Sequence, residues 1–284
     1  ACAGPSVRVQ DPSADVLATL DARSRRNLRE LGLEETAADR VSGHVLLEAA
    51  VADAEVVIEA GPENLELKQQ LFAAIEASAP VESLLASNTS VIPITQIMAL
   101  LRHPHRALGT HWWNPPYLVP LVEVIRTPAT SAAAVAAMTS LLKAVGKTPV
   151  TVEKDVPGFV GNRLQHALWR EAIALVEQGV CDAETVDTVV KASFGRRLAV
   201  LGPLENADLV GTDLTLAIHE TVLPDLDRTP GPLPVLRQLV ADGKLGMKSG
   251  EGFRRWTPEQ QSELRRRVFA HLLALDDKGT GEEK

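Results

Sequence analysis

Aromatic residues are scarce: five Phe, four Trp and one Tyr make up 4% of the 284 residues. The core is therefore expected to be Leu, Val, Ile and Ala. Only two cysteines occur, Cys2 and Cys181, far apart in sequence. That spacing argues against a disulfide framework and makes the reducing cytoplasm the default compartment. No apolar run approaches the roughly 18 residues a membrane span requires. The opening ACAGPSVRVQ lacks the charged-then-apolar layout of a secretory signal. Basic charge is also in deficit, with 29 Lys and Arg against 37 Asp and Glu and a formal net charge of -8. Such a chain is a poor candidate for a nucleic-acid backbone binder. Membrane, secreted and nucleic-acid classes are set aside on these grounds.

What is present describes an ordinary globular protein. Hydrophobic residues make up 45% and charged residues 23%, and the length suits two domains or one large one. The chain changes character near Asp155. Before it, β-branched runs occupy Val7–Gln10, residues 55–59, Leu84–Ser87, Ala107–Trp112, and residues 118–126 and 149–153. Helical patterns over residues 14–31, 64–77, 94–101 and 132–145 alternate with them. Alternation of this kind reads as βαβ units feeding a mostly parallel sheet. After Asp155 the pattern is helical only, over residues 158–178, Ala183–Ala192, residues 213–222, Pro234–Ala241 and residues 258–275. Residues 227–234 hold three prolines and read as a loop. The expectation is an α/β domain over residues 1–155 followed by an all-α domain over residues 156–284. The polar tail at 276–284 is expected to fray.

The segment richest in chemistry is LGTHWWNPPYLVPLVEVIR, residues 108–126. His111 ends one strand run and Glu123 lies inside the next, each six residues from Tyr117. An antiparallel hairpin about that loop places the two opposite one another. Glu123 is flanked by Val122, Val124 and Ile125, and a buried carboxylate requires a matching donor. A carboxylate bonded to one imidazole nitrogen fixes its tautomer and leaves the other to exchange a proton with a substrate. The competing reading is a strand-edge Glu paired with a nearby Lys or Arg. ASNTS, residues 86–90, follows an apolar strand, and ligands bind at the carboxyl ends of strands in open α/β sheets. Its alternative is simple helix capping. Asn162, on the first turn of the long helix, is expected to face a cleft between the domains, or else to be a polar residue at a solvated helix start. The other six histidines show no metal-ligand spacing.

These segments, in order, resemble the 3-hydroxyacyl-CoA dehydrogenase family: ASNTS, GTHWWNP, LVEVI, PGFVGNRL, GPLENADLVG and MKSGEGF. Each motif alone is weak, while six in order are specific. NPPYLVPLVE and GRRLAVLGPLE look closer to the branch holding λ-crystallin (L-gulonate 3-dehydrogenase) and carnitine dehydrogenase. The resemblance implies a Rossmann-like sheet domain followed by a helical dimerisation domain, with NAD as cofactor and a homodimer formed through residues 202–226 and their neighbours. It implies that His111 takes the proton of a 3-hydroxyl while Glu123 orients it. Ser90 and Asn162 are implied to hold the substrate oxygen and carbonyl, and Asn114 to help place substrate and nicotinamide. Glu63, Lys68 and Ser90 are implied on the nicotinamide side of the cofactor. Asp11 is implied on the adenosine ribose, favouring NAD over NADP, and Lys248 as a further cofactor contact.

Two features depart from the family pattern. The family opens with a strand and a G-x-G-x-x-G turn about 20 residues before the acidic ribose ligand, yet here Asp11 is the eleventh residue. The expectation is that the start of the protein is missing from this chain; the alternative is a shortened relative that does not bind NAD in the usual way. Loss of a central strand should expose apolar surface and unpaired backbone groups. In addition, positions that contact coenzyme A in the mitochondrial enzymes read Asn27 and Glu34, with Arg25, Arg26 and Arg29 close by. Three readings follow: oxidation of an L-3-hydroxyacyl-CoA such as 3-hydroxybutyryl-CoA, oxidation of a free 3-hydroxy acid of gulonate or carnitine type, and a non-catalytic structural role.

Overall fold

The computed structural model describes residues 2–279. Its contacts divide into two compact units, Ala1–Arg163 with His271–Lys284, and Leu164–Ala270. The first unit carries all the strands: β1 (Val7–Gln10), β2 (Val41–His44), β3 (Val56–Glu59), β4 (Leu84–Ser87), β5 (Ala107–Trp112), β6 (Leu121–Ile125) and β7 (Thr148–Val152). Helices α1 (Ala14–Ala18), α2 (Leu20–Glu30), α3 (Leu47–Val51), α4 (Leu65–Ser78), α5 (Ile94–Ile97) and α6 (Ala132–Ala144) lie between them. Strands β3 to β7 form one sheet in sequence order, parallel except where β5 meets β6. Strands β1 and β2 pair in parallel as a separate sheet.

Alternation along the strands gives this larger sheet two apolar faces. Leu108, Val122 and Val124 pack with Ala134, Met138 and Leu142, which recur at helical spacing along α6. Leu85, Ala107 and Ile125 point the other way, onto Phe72 and Ile75 of α4, Ile94 and Ile97 of α5, and Phe159. His111 and Glu123 share the parity of Ala107 and Ile125, so both belong to this second face. Gly109 allows a close approach on that face. A Cβ there would fall 2.6 Å from Ile94 Cδ1 and 3.1 Å from Ile125 Cβ.

The sheet is broken between β1 and β3, which share no strand pairing. On β3, an edge strand of the larger sheet, Ile58 is 42% exposed.

Several expected boundaries move for local reasons. The helix expected over residues 14–31 is two helices, because the Thr19 hydroxyl bonds back to the Val16 carbonyl at 2.8 Å and ends α1. β6 starts at Leu121 rather than Leu118. The amides of Leu118 and Val119 turn back to the Pro115 carbonyl, and Pro120 has no N–H to give. β2 and α3 were not expected, since Ser42 and Gly43 carry little strand signal. Pro149 is tolerated in β7 because that strand is the sheet edge.

The second unit is helical, built from α7 (Gly161–Glu177) beyond its first turn, α8 (Ala183–Ala192), α9 (Pro203–Val210), α10 (Thr212–Val222), α11 (Pro234–Ala241) and the start of α12 (Pro258–Gly279). Strand-like contacts after β7 reduce, among the described residues, to isolated bridges at Gly246–Glu251 and Glu251–Arg255. The unexpected α9 opens on Pro203, with the Gly202 amide bonded to Glu205 at 2.7 Å. Pro234 lies at the first turn of α11, so the proline-rich loop ends one residue earlier than its composition suggested. Helix α12 runs to Gly279, past the start of the tail expected to fray; the remainder of that tail lies outside the described residues.

Candidate active site

The β5–β6 register sets His111 directly opposite Glu123. Their side chains meet, with Nδ1 2.7 Å from Oε2, and both are almost wholly buried. The other carboxylate oxygen, Oε1, accepts the amides of Val160 at 2.9 Å and Gly161 at 3.1 Å, where α7 begins. Burial pushes the Glu123 carboxyl up. The bond from His111 and the amides of Gly161 and Val160 together outweigh it and hold the group below the ordinary carboxylate range. Glu123 is therefore ionised at neutral pH and can only accept. A proton of His111 must then sit on Nδ1, so in the neutral ring the free lone pair belongs to Nε2.

The backbone around Phe159 aims those two amides. Gly158 has φ 74° and Phe159 has φ 51°, a left-handed conformation that a bulky residue adopts only where its surroundings hold it. Phe159 is fully buried and its ring centroid lies 5.6 Å from that of His111. Trp113 covers the imidazole at 5.2 Å. Gly161 is bound to be small, since a Cβ there would fall 2.3 Å from Trp113 Cζ2.

The loop after β4 approaches the same region. Asn162 Nδ2 donates to the Ser90 carbonyl at 2.8 Å, and the Ser90 amide donates to Glu63 Oε1 at 2.5 Å. Asn88 Oδ1 accepts the Trp112 amide at 3.0 Å, fastening the end of β4 to the end of β5. A cavity of about 430 Å³ opens here, lined by Ile58, Asn88, Trp112, Trp113, Asn114 and Pro116. Asp11 directly follows β1 of the smaller sheet; one oxygen takes the Ser13 amide at 2.8 Å, and the residue stays partly exposed. Lys68 is buried and spends its ammonium on Glu59 at 2.8 Å and the Gly61 carbonyl at 3.0 Å. Lys248 belongs to the second unit, on a loop tied by the Gly246 amide to the Glu251 carbonyl at 2.8 Å.

The structure thus gathers His111, Glu123, Asn162, Ser90 and Glu63 within the first unit and places Asn114 on the cavity. The residues that sequence reading missed are the amides of Val160 and Gly161, the Trp113 cover, and Glu59. For Glu59 a signal existed: a charged residue closing the apolar run VVIE, with a lysine nine positions on.

A nicotinamide dinucleotide fits what is present. The cavity lies beyond the carboxyl ends of parallel strands, with one wall from the exposed Ile58 and an amide side chain, Asn114, at its rim. The second Asp11 oxygen is available to ribose hydroxyls at the end of its own strand.

Fold and site together define a dinucleotide-binding α/β unit joined to a helical one, and comparison with known proteins agrees. Residues 1–156 match the description "3-hydroxyacyl-CoA dehydrogenase, NAD binding domain", and residues 158–256 match its C-terminal domain. The probable 3-hydroxybutyryl-CoA dehydrogenase of Bacillus subtilis is 41% identical over 216 residues, 76% of this chain and 74% of that protein. The L-carnitine dehydrogenase of Streptomyces coelicolor is 41% identical over 212 residues, 73% of this chain and 67% of that protein. The solved structure of 5-formyl-3-hydroxy-2-methylpyridine 4-carboxylic acid 5-dehydrogenase, an NAD+ dependent dismutase, superposes with a TM-score of 0.90 at 35% identity. It covers 99% of this chain and 93% of that one. The chain belongs to the 3-hydroxyacyl-CoA dehydrogenase family and is an NAD-dependent oxidoreductase of that type. Among the described residues, no helix is long and apolar enough to cross a membrane.

Proposed function

We propose that this chain oxidises the carbinol carbon of a small L-3-hydroxyacyl-CoA to the 3-keto product, with His111 and Glu123 as its acid/base pair. When bound, NAD supplies the hydride acceptor. Asp11 would hold the adenosine ribose, and Glu63, Ser90 and Asn114 would line the nicotinamide side, whereas Lys68, its ammonium buried on Glu59 and the Gly61 carbonyl, is not a direct contact. His111 Nε2 takes the hydroxyl proton as the carbinol carbon loses hydride; in reduction it returns the proton to the new alkoxide. Glu123 stays ionised throughout and balances the imidazolium. Asn162 and Ser90 hold the substrate oxygens. One observation carries this reading: the 2.7 Å bond from His111 Nδ1 to a carboxylate already anchored by two amides.

A specific observation favours a second substrate, a free 3-hydroxy acid. The arginines near the expected coenzyme A positions are already matched by acids. Arg25 bonds Asp21 at 3.0 Å and Asp39 at 2.6 Å, Arg29 bonds Glu35 at 2.8 Å, and Arg26 lies 3.9 Å from Glu30. The likeness to L-carnitine dehydrogenase points the same way. Initial rates with 3-hydroxybutyryl-CoA against 3-hydroxybutyrate, carnitine and gulonate separate the two. The thioester is expected to give the highest kcat/KM; turnover of a free acid with none for the thioester reverses the assignment.

We also propose a homodimer through residues 202–226. Leu204, Leu209 and Leu216 are 80%, 72% and 60% exposed, and this apolar surface supports an interface there. In sedimentation the chain is expected to run as a dimer and Leu204→Glu as a monomer. A parent chain that runs as a monomer overturns this part.

A further inference from the structure

Behind the Ser90 loop lies an ion pair that the proton-transfer scheme does not use. Glu59, the last residue of β3, and Lys68, on the first turns of α4, have side chains 3% and 1% exposed and meet at 2.8 Å. Glu59 Oε1 also accepts the Gly61 amide at 2.6 Å, and Oε2 accepts the Ser87 hydroxyl at 2.7 Å. Ser87 Oγ in turn accepts the Thr89 amide at 3.3 Å. One buried carboxylate therefore ties together the loops that follow β3 and β4.

Glu63 stands one step further out, and its carboxylate is the direct hold on the site loop. It accepts the Thr89 hydroxyl at 2.8 Å and the Ser90 amide at 2.5 Å, while the Ser90 carbonyl takes Asn162 Nδ2. The Lys68 ammonium lies 3.9 Å from Glu63 Oε2, beyond hydrogen-bond length. Two carboxylates thus flank one buried cation, and the nearer has it. A buried ammonium deprived of its partner must find another or lose its charge, and Glu63 is the acid within reach.

We infer that Glu59 is a positioning residue. By engaging Lys68 it leaves Glu63 free to hold the Ser90 amide, and so fixes the Ser90–Asn162 pair beside His111. The inference rests on the dehydrogenase reading for its catalytic consequence but not for its structural one. In Glu59→Gln the ammonium swings to Glu63 and draws that carboxylate off Thr89 and Ser90. In the double variant Glu59→Gln with Lys68→Met no cation remains to draw it, and Ser90 is held again. A carboxylate that merely supports the fold would give the opposite order, with the double variant as loose as the single or looser.

The test is amide hydrogen exchange at Thr89 and Ser90 in the full chain, together with kcat and KM at saturating NADH. Glu59→Gln is expected to speed exchange at both amides by about tenfold, and to lower kcat about tenfold with substrate KM within about twofold, the usual scale of coupled contacts. Adding Lys68→Met is expected to return Ser90 exchange to within about threefold of the parent. Unchanged exchange in Glu59→Gln, or exchange in the double variant as fast as in the single, overturns the inference. Should Glu59→Gln fail to fold, the double variant carries the readout alone: slow Ser90 exchange supports the inference and fast exchange refutes it. A parent chain without turnover would remove the dehydrogenase reading while leaving this exchange comparison intact.

Discussion

Replacing His111 by Gln is expected to lower kcat by about 10² or more, the usual contribution of a positioned acid/base. The substitution is chosen to isolate proton transfer. Glutamine can still offer an N–H to Glu123, so the carboxylate keeps a donor and the hairpin keeps its cross-strand pair. Trp113 and Phe159, which flank the imidazole, still have a planar group between them. What glutamine cannot do is accept the hydroxyl proton and give it back. The defect should therefore fall on kcat in both directions, with the KM for NADH within about twofold, because an interaction made only in the transition state was removed. Steady-state rates of oxidation and reduction check this, with the melting temperature as the control for folding. A loss within assay scatter would mean that the pair is misassigned.

Glu123→Gln is the second large effect, and it has two readouts. The amide oxygen can keep the bonds from Val160 and Gly161, but an amide nitrogen then faces His111 Nδ1. The imidazole must accept there, which moves its proton to Nε2, the atom needed to take the substrate proton. A kcat loss of about 10² or more is expected from the wrong tautomer alone. Stability gives the second readout. Because the folded Glu123 carboxyl is held below its ordinary range, the parent gains stability from it at neutral pH, above the unfolded value. That gain is lost as pH falls through the folded value. The parent should thus melt higher than Glu123→Gln near pH 7, and the gap should narrow steadily as the solution is acidified below about pH 4, the ordinary range of a glutamate. An equal gap at every pH would show that the carboxylate is not held ionised by these bonds.

How much of this was legible in the sequence depended on how local each feature is. The His111–Glu123 pairing could be read because a hairpin fixes its own register: two β-branched runs placed evenly about Tyr117 leave one antiparallel solution. Helix α4 was equally plain, with Asn64 capping the Leu67 amide and Lys68, Phe72 and Ile75 recurring on the buried face. β2 was lost because VSGH carries two residues that rarely favour strands, although Gly43 serves the close approach of Leu17, which a Cβ would meet at 3.2 Å. The amides that hold Glu123 were illegible for a different reason. They are backbone groups, aimed by a left-handed Phe159, and no residue type announces them. Glu59 and Lys68 meet across a strand, a loop and a helix turn, so their pairing depends on tertiary packing. Nothing in the sequence around Trp113 marks its role, and the absence of a side chain on Gly161 shows how closely it is fitted.

In the proposed reaction one imidazole, kept in a single tautomer by Glu123, moves the substrate proton. The pH dependence of kcat/KM in both directions tests it most directly, because oxidation needs the neutral ring and reduction needs the protonated one. Oxidation is expected to fail on the acid side and reduction on the alkaline side, and both limbs are expected to flatten in His111→Gln. Limbs that persist unchanged in that variant, or that run the same way in both directions, would contradict it.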